Sequence, residues 1–556
     1  MSGSPFSPAG RAEACGGGPV FLFFFLPFVF CSCGEKGPLI LSIDPRMGMM
    51  GEILTIRGEN FGSPGDESYI TIGGIPPTGS SYIEWRDDFI SLTVPEFGEA
   101  GLVYVHRGGK KSNPMLFSNK ATLPQPMERD EVGIGPRIFS ITPPSGSVGS
   151  LITIKGSGFG SSREESGVFF AWNAESSLAA PAETRNAEPE SIEVFDAEFG
   201  YDLWSEREIR VRVPDGAVNG NLEVRTSRGN SQPVSFEVTE KSGSKTFKDK
   251  WIYSFSYSVD IQAAETSLPN TLYLWMPHPV TSSSQRNTRL LSRSREPFVD
   301  NFRGATLFQL TDLAPMGKER ISQSYLVTVY TIETSVKSPP VRLDTGSPVA
   351  TIHTQPTSLI PSDDPRVAEQ SKILTGREAN PYEKARKIYQ WFIQEGKIQR
   401  GFLSGGITEA LEQGRMDSYT ASLLFCAMAR AAGIPAIPVS GVLVSRTLTA
   451  SRHYWAEFWL EGFGWIPLDP ALGAGAAPPS FILREDRASY YFGNLDNQRI
   501  TFSRGQTVLS QMDPRGRLAA HNRDYALQNL WEEAVGGLES YSSLWSDVTI
   551  SGIYAQ

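Results

Sequence analysis

Three side chains whose types could together support acyl-group chemistry lie between Gly414 and Pro470: Ser418, His453 and Asp469. A hydroxyl can act as a nucleophile, an imidazole can accept its proton, and a carboxylate can fix the tautomer of that imidazole. Proton transfer requires these groups to lie within hydrogen-bonding distance of one another. Their chemistry therefore depends on the elements that hold them.

Helix and strand signals place the three side chains on separate elements. Asp417 is predicted to be the N-cap of a helix that starts at Ser418 and stops before Gly433. Its apolar residues recur at helical spacing: Ala421, Leu424, Phe425, Met428 and Ala432. The segments that follow are predicted to be strands, at 436–445, 454–460 and 465–468. His453 and Asp469 therefore lie at strand ends.

A further helix is predicted upstream of this one. Asn380 should cap it, with Pro381 at its first position and Glu383 at its third, and Gly396 should end it. One face is expected to be buried, because apolar residues repeat along it: Ala385, Ile388, Tyr389 and Phe392. These signals place an α+β domain at about residues 360–500.

The order of helix, His strand and Asp strand resembles the core of transglutaminase-like proteins, a branch of the papain-like thiol enzymes. Two motifs carry the resemblance: His-x-Trp-x-Glu at His453–Glu457, and Gly-x-Gly-Trp-x-x-x-Asp-Pro at Gly462–Pro470. In that family the nucleophile precedes the Gly of a Gly-Ile-Pro motif by 15 residues, and counting back from Gly433 gives Ser418. The resemblance covers about residues 245–500 and implies hydrolysis or acyl transfer at a protein amide.

The resemblance implies that Ser418, His453 and Asp469 occupy the catalytic positions, although the family nucleophile is a cysteine. A thiolate suits a helix N-terminus, because unpaired N–H groups and the helix dipole stabilise the anion. A serine hydroxyl cannot be held as an anion at neutral pH and must lose its proton during attack. Three interpretations of Ser418 remain open: an active nucleophile, a degenerate site that binds without cutting, and an ordinary first-turn residue.

Neither the remaining thiol of this stretch nor a metal offers an alternative catalytic group. Cys426 lies eight residues further along the helix than Ser418, which is roughly 12 Å along its axis. It is surrounded by Leu423, Leu424 and Phe425, so we expect it to be a core residue. The His residues are scattered without metal-ligand spacing, and no metal or cofactor is therefore expected.

The first 33 residues are predicted to be an export signal. Val20–Phe30 is an unbroken apolar run of 11 residues, too short to span a bilayer as a helix. Cys33 follows the small residue Ser32, which resembles the lipidation site of bacterial lipoproteins. An ordinary signal peptide cleaved nearby is the alternative. We therefore expect an exported protein, anchored by lipidated Cys33 in the periplasm or on the cell surface.

An internal repeat follows the predicted signal. Residues 41–62 and 139–160 align without a gap at an offset of 98, and ten of the 22 aligned positions are identical. Spaced glycines between alternating segments and a closing Phe-Gly resemble the IPT/TIG immunoglobulin-like module. The resemblance implies two all-β sandwiches, at 37–121 and 135–240, of which the second carries about 21 additional residues.

Residues 245–352 contain long segments rich in aromatic and β-branched residues, which predicts strands. They resemble the β-sandwich that often precedes bacterial transglutaminase-like cores, which implies a third sandwich here. The C-terminal tail at 501–556 is predicted to be partly helical, with a helix around Tyr525–Glu533. The expected fold class is therefore multidomain. Two immunoglobulin-like sandwiches and a third sandwich precede an α+β transglutaminase-like core.

The composition of the chain excludes some classes of function but does not identify one. The chain has 556 residues, 40% of them hydrophobic and 20% charged, which is typical of globular proteins. Its net charge of −10 argues against a nucleic-acid-binding protein. Two functions remain: an envelope protein that binds a protein, a peptide or an envelope glycan, and an amide hydrolase or acyltransferase that uses Ser418, His453 and Asp469.

Overall fold

The structure is a computed structural model, and part of the chain is described in it. The described residues are 37–48, 50–63, 68–77, 81–95, 100–119, 135–163, 166–173, 190–195, 200–239, 243–337, 347–521 and 523–555. The predicted export signal, including Cys33, lies outside them. Within the described residues no helix is both long enough and apolar enough to cross a membrane.

The first unit is built from short strands in two facing sheets. The strands are β1 (Leu39–Asp44), β2 (Met47–Gly48), β3 (Ile53–Glu59), β4 (Ser68–Ile72), β5 (Tyr82–Arg86), β6 (Phe89–Thr93), β7 (Ala100–Arg107), β8 (Lys110–Lys111) and β9 (Met115–Asn119). One sheet has the order β1-β3-β6-β5, and the other has the order β2-β9-β7-β4, with β8 paired to β7. Alternation of buried and exposed residues gives β3 a core face, with Leu54 and Ile56 fully buried.

The second unit repeats this architecture. Its strands are β10 (Arg137–Thr142), β11 (Ser145–Gly146), β12 (Leu151–Ser157), β13 (Gly167–Ala171), β14 (Ser191–Glu193), β15 (Tyr201–Trp204), β16 (Glu208–Arg212), β17 (Gly220–Thr226), β18 (Gly229–Asn230) and β19 (Val234–Val238). One sheet has the order β10-β12-β16-β15, and the other has the order β11-β19-β17-β13-β14, with β18 paired to β17. Most of the predicted insertion, at 174–189, lies outside the described residues.

Equivalent glycines explain part of the sequence repeat. A Cβ added at Gly58 would lie 2.0 Å from the carbonyl oxygen of Leu39, and one at Gly156 would lie 2.0 Å from that of Arg137. Both strand pairs also shift register at the same place, between the second and third paired residues of β1 and β10. The repeated sequence therefore corresponds to a repeated close approach of two backbones.

The third unit is an eight-stranded sheet that includes the C-terminal tail. Its strands are β20 (Gly243–Pro277), β21 (Gln285–Arg293), β22 (Val299–Phe302), β23 (Ala305–Thr311), β24 (Lys318–Val336), β31 (Arg517–Ala519), β32 (Glu532–Trp545) and β33 (Thr549–Ala555). The long strand β20 pairs with β23 and β24 and also with β32 and β33 from the tail.

The predicted helix in the tail is therefore wrong. Residues around Tyr525–Glu533 contain no helix, and the segment leads into β32 instead. Tyr525 and Trp531 are fully buried in the core beside β20, where Trp531 packs against Trp545 with ring centroids 4.8 Å apart. Pairing with a strand more than 250 residues upstream overrides the local helical pattern.

The fourth unit combines helices with a four-stranded antiparallel sheet. Its elements are α1 (Pro348–His353), α2 (Pro365–Thr375), α3 (Pro381–Gln394), β25 (Lys397–Ile398), α4 (Ile407–Gln413), β26 (Arg415–Met416), α5 (Ser418–Ala431), β27 (Ala436–Val444), β28 (Ala450–Leu460), β29 (Gly464–Leu468), α6 (Pro470–Gly473), α7 (Arg487–Tyr490) and β30 (Arg499–Arg504). The sheet order is β29-β28-β27-β30. Both helix starts predicted from capping signals are observed, at Asn380 and at Asp417.

The sheet of the fourth unit is covered on both faces, which explains why every residue of β27 is buried. Ala436 on β27 and Phe458 on β28 pack with the helices. Val442 on β27 and Phe502 on β30 pack instead with residues of β20 and the tail. The tail and the third unit therefore support the strands that carry the predicted site.

Candidate functional site

Ser418 is the first residue of α5, and Asp417 is the N-cap of that helix. The Asp417 carboxylate accepts a hydrogen bond from the Thr420 backbone N–H at 2.8 Å, while the Thr420 hydroxyl lies 3.0 Å from the Asp417 backbone nitrogen. This reciprocal capping box fixes the first helical turn. Asp417 is buried, whereas Ser418 is half-buried.

His453 and Asp469 form a buried pair. His453 lies on β28, and Asp469 follows β29 as the N-cap of α6, where it accepts a hydrogen bond from Leu472 N at 2.9 Å. The Nε2 atom of His453 lies 2.8 Å from Oδ2 of Asp469. His453 is 4% exposed and Asp469 is 0% exposed. This arrangement leaves Nδ1 of His453 as the ring atom that could face a reacting group.

Arg499 completes a buried polar cluster that the sequence interpretation missed. Its guanidinium lies 3.2 Å from Asp469 and 3.1 Å from Asp496, and Asp496 also accepts a hydrogen bond from the Tyr491 hydroxyl at 2.8 Å. The guanidinium carbon is 4.9 Å from the centre of the Trp455 ring. Arg499 stands next to the apolar residues Ile500 and Phe502 of β30, and this was the available signal, because a buried arginine requires carboxylate partners.

The cluster determines the ionisation of Asp469. Burial opposes the carboxylate, but the neighbouring His453 and Arg499 and the N–H of Leu472 outweigh it and lower the pKa of Asp469 from its ordinary value. Burial also opposes the charge of Arg499, whose pKa is nevertheless raised by Asp496 and Asp469. Asp469 is therefore a carboxylate at neutral pH and can orient the imidazole through Nε2.

The fold packs α5, which begins with Ser418, against β28, which carries His453. Tyr419, next to Ser418, packs against Tyr454, next to His453, with ring centroids 5.0 Å apart. Among the described residues no hydrogen bond joins Ser418 to His453, and Nδ1 of His453 accepts none. The start of α5 therefore lies beside the His strand without a formed nucleophile–base contact.

Cys426 occupies the core position that its sequence context indicated. It is fully buried among the helices, and burial raises the pKa of its thiol to about 12. A thiol in this environment stays protonated and unreactive at neutral pH. The described residues also contain no group of three or more His, Cys, Asp or Glu side chains placed to hold a metal ion.

Family models match two parts of the chain. Residues 368–470 match the transglutaminase-like superfamily, and residues 38–118 and 136–174 match the IPT/TIG domain. These matches confirm the two resemblances identified in the sequence. They also confirm the multidomain fold class, with immunoglobulin-like domains before a transglutaminase-like core.

Individual proteins are similar over parts of their length. An uncharacterized Haemophilus influenzae protein is 26% identical over 320 residues, which is 49% of this chain and 84% of that protein. The structure of a candidate cysteine protease from Cytophaga hutchinsonii covers 56% of this chain and 93% of its own, with 16% identity and a TM-score of 0.37. A surface glycan-binding protein from Prevotella bryantii covers 54% of this chain and 99% of its own, with 9% identity and a TM-score of 0.15.

Proposed function

We propose that the transglutaminase-like core of this chain binds a polypeptide without turning it over, within an exported envelope protein. One observation carries the proposal: the first residue of α5, the helix that packs against the strand of His453, has a hydroxyl and not a thiol. The buried pair corresponds to the base and the orienting group of the family. The group that differs is the nucleophile.

A serine in place of the family's cysteine matters because the start of a helix suits a side chain that is already an anion at neutral pH. Lowering a cysteine pKa from about 8.5 to neutrality needs about 2 kcal/mol, which a helix N-terminus and an adjacent imidazolium can supply. A serine hydroxyl cannot be ionised by a stabilisation of that size, so it depends on a base in hydrogen-bonding contact. No such contact joins Ser418 to His453 among the described residues.

The His453–Asp469 pair also stabilises the fold, so a domain that only binds would still need it. Asp469 caps α6 and pairs with Arg499, so its loss would leave buried polar groups without partners. His453 is almost fully buried between these groups. The presence of His453 and Asp469 is therefore compatible with a domain that binds a peptide segment and does not cleave it.

Turnover of amide substrates tests this proposal. Wild-type protein and the Ser418→Ala variant are expected to show the same background release of ammonia or amine from a glutamine-containing protein and from peptide amides. The two share every other residue of the site, so only nucleophilic catalysis separates them. Turnover by wild type that Ser418→Ala abolishes would contradict the proposal.

A second candidate function is amide hydrolysis or acyl transfer with Ser418 as nucleophile, His453 as base and Asp469 as orienting group. It is favoured by the hydrogen bond between Nε2 of His453 and the Asp469 carboxylate, because this bond leaves Nδ1 of His453 available to accept a proton. Catalytic contacts can also be longer in a free enzyme than in its complex with substrate. The turnover comparison distinguishes the two functions.

Export and lipid anchoring belong to the same proposal and rest on the sequence. The apolar run Val20–Phe30 has the length of a secretory segment, and Cys33 follows the small residue Ser32. A peptide partner or an envelope glycan would then meet the sandwiches and the core outside the cytoplasm. Incorporation of labelled palmitate that is equal in wild type and Cys33→Ala would contradict the lipid anchor.

A further inference from the structure

Two consecutive residues of the C-terminal tail contact both sides of the candidate site. Arg523 lies against α5, where its Nη1 atom is 2.6 Å from Oδ2 of Asp417. Asp524 lies against β28, where its backbone carbonyl accepts a hydrogen bond from the Tyr454 hydroxyl at 2.5 Å. Asp417 precedes Ser418, and Tyr454 follows His453. The tail therefore joins the element that holds the nucleophile position to the element that holds the imidazole.

The Asp417 carboxylate needs a cationic partner because it is 2% exposed. One oxygen accepts hydrogen bonds from the backbone N–H and the hydroxyl of Thr420, each at 2.8 Å. The other accepts from Leu403 N at 2.9 Å and from Arg523. Of these partners, Arg523 alone carries a charge that opposes the carboxylate. It therefore offsets the negative charge next to Ser418.

Arg523 is held in place by more than one contact. Its Nη2 atom donates to the Gly405 carbonyl at 2.8 Å, and Nη1 also donates to the carbonyl of Leu403. Its guanidinium carbon lies 4.7 Å from the centre of the Tyr419 ring, so the side chain covers both neighbours of Ser418. Such a network positions the first turn of α5 as well as neutralising it.

Asp524 makes the corresponding contacts on the His strand. Its carboxylate lies 3.3 Å from Nε of Arg452, which precedes His453. Tyr419 on α5 and Tyr454 on β28 also link the two elements directly, because their rings pack against each other. The four residues that flank Ser418 and His453 in the chain are therefore all tied directly to Arg523 or Asp524.

We propose that Arg523 is a positioning residue for the side chain at position 418, which it serves by neutralising the Asp417 carboxylate and by fixing the first turn of α5 beside β28. Without Arg523, the buried carboxylate would oppose any negative charge that develops at position 418. The other charged or titratable groups on the elements that pack here are Tyr419 on α5, Arg452, His453 and Tyr454 on β28, Asp469, and Asp524 of the tail.

An introduced thiol reports on this effect. The Ser418→Cys variant of the full chain is the parent, and its rate of alkylation by iodoacetamide is measured against pH with peptide-resolved mass spectrometry. Adding Arg523→Gln is expected to raise the apparent pKa of the introduced thiol by about 1 unit. At pH values below the pKa of the parent thiol, the thiolate fraction and therefore the rate of alkylation then fall about tenfold. Arg523→Lys, which keeps the charge, is expected to stay within about 0.3 units of the parent.

Two controls separate charge neutralisation from loss of structure. Arg515→Gln removes an exposed arginine of the same tail, paired with Asp513, and should leave the thiol pKa unchanged. Asp417→Asn combined with Arg523→Gln removes both charges and should cancel the rise. An unchanged pKa in Arg523→Gln, or a rise that persists after Asp417→Asn, would overturn the proposal. So would a rise in Arg523→Lys equal to that in Arg523→Gln.

This inference concerns the same site as the proposed function but does not require turnover. A parent thiol that reacts like an unperturbed cysteine would contradict the account of the His453–Asp469 pair. The shift on adding Arg523→Gln is measured relative to that parent, whatever its absolute pKa. Failure of one proposal is therefore distinguishable from failure of the other.

Discussion

Replacing Ser418 with cysteine is expected to create a thiol that iodoacetamide alkylates at least about tenfold faster at pH 6.5 than it alkylates a small-molecule thiol of ordinary pKa. The N-terminus of α5 favours the thiolate, and an imidazolium at His453, on the strand packed against α5, would favour it further. The variant changes one atom of a side chain that is half-buried, so the fold should be retained. Alkylation mapped to individual peptides measures the rate at position 418 alone.

The chain provides an internal control for this experiment. Cys426, eight residues further along α5, is fully buried and has its pKa raised to about 12, so it should remain unmodified in the folded protein. Adding His453→Ala to the Ser418→Cys variant should lower the rate, and the acceleration that remains is the effect of the helix N-terminus. A rate that does not respond to His453→Ala would show that the imidazole does not act on position 418.

Replacing Arg499 with methionine is expected to lower the free energy of unfolding by about 3–5 kcal/mol, which is the usual effect of removing one member of a buried charged cluster. Arg499 is 2% exposed and lies between the carboxylates of Asp469 and Asp496. Without it, Asp469 keeps only His453 as a possible cationic partner among the described residues, and Asp496 keeps none there. Urea unfolding, with hydrogen exchange in α5 used to assign the transition to the core, measures the change.

The pH dependence of this deficit has a defined direction. The folded-state pKa of Asp469 is lowered, so its stabilising effect is complete above its unfolded pKa of about 3.9 and is lost as pH falls through the lower folded value. Removing Arg499 takes away one cause of that lowering. The deficit of the variant should therefore be largest at neutral pH and should shrink as pH falls below about 4.

A surface arginine provides the matched control for the stability measurement. Arg484 pairs with Asp486, and both side chains are about half exposed. Arg484→Met should change the free energy of unfolding by no more than about 0.5 kcal/mol. If Arg499→Met were equally mild, the cluster around Asp469 would not be what holds the His453–Asp469 pair in place.

The helix that carries Ser418 was predictable because its signals are local. Asp417 caps it, the apolar residues follow a helical period, and Gly433 adopts the positive φ of 79° that favours glycine just beyond a helix end. His453 and Asp469 were predictable as a pair, because the motifs around them fix their place on neighbouring strands. Their catalytic roles, and the boundaries of the predicted domains, remain predictions.

The parts of the site that were not predicted depend on contacts between residues that are far apart in the sequence. Arg499 contacts Asp469 because β30 pairs with β27 in the sheet, and no local sequence pattern predicts that pairing. Arg523 reaches Asp417 across more than 100 residues. The tail was misjudged for the same reason, since its apolar residues fit a helix locally but are buried against β20. In each case a contact between segments far apart in the chain decided the outcome.

Covalent acylation at position 418 measures whether the site lacks only a competent nucleophile. Wild type, Ser418→Ala and Ser418→Cys would each be incubated with an activated peptide ester and quenched in acid, and intact-mass and peptide measurements would locate any acyl group. We expect an acyl adduct on the introduced cysteine, dependent on His453, and none on Ser418 of wild type. An adduct on wild-type Ser418 that is absent from Ser418→Ala would contradict this expectation and establish a serine nucleophile.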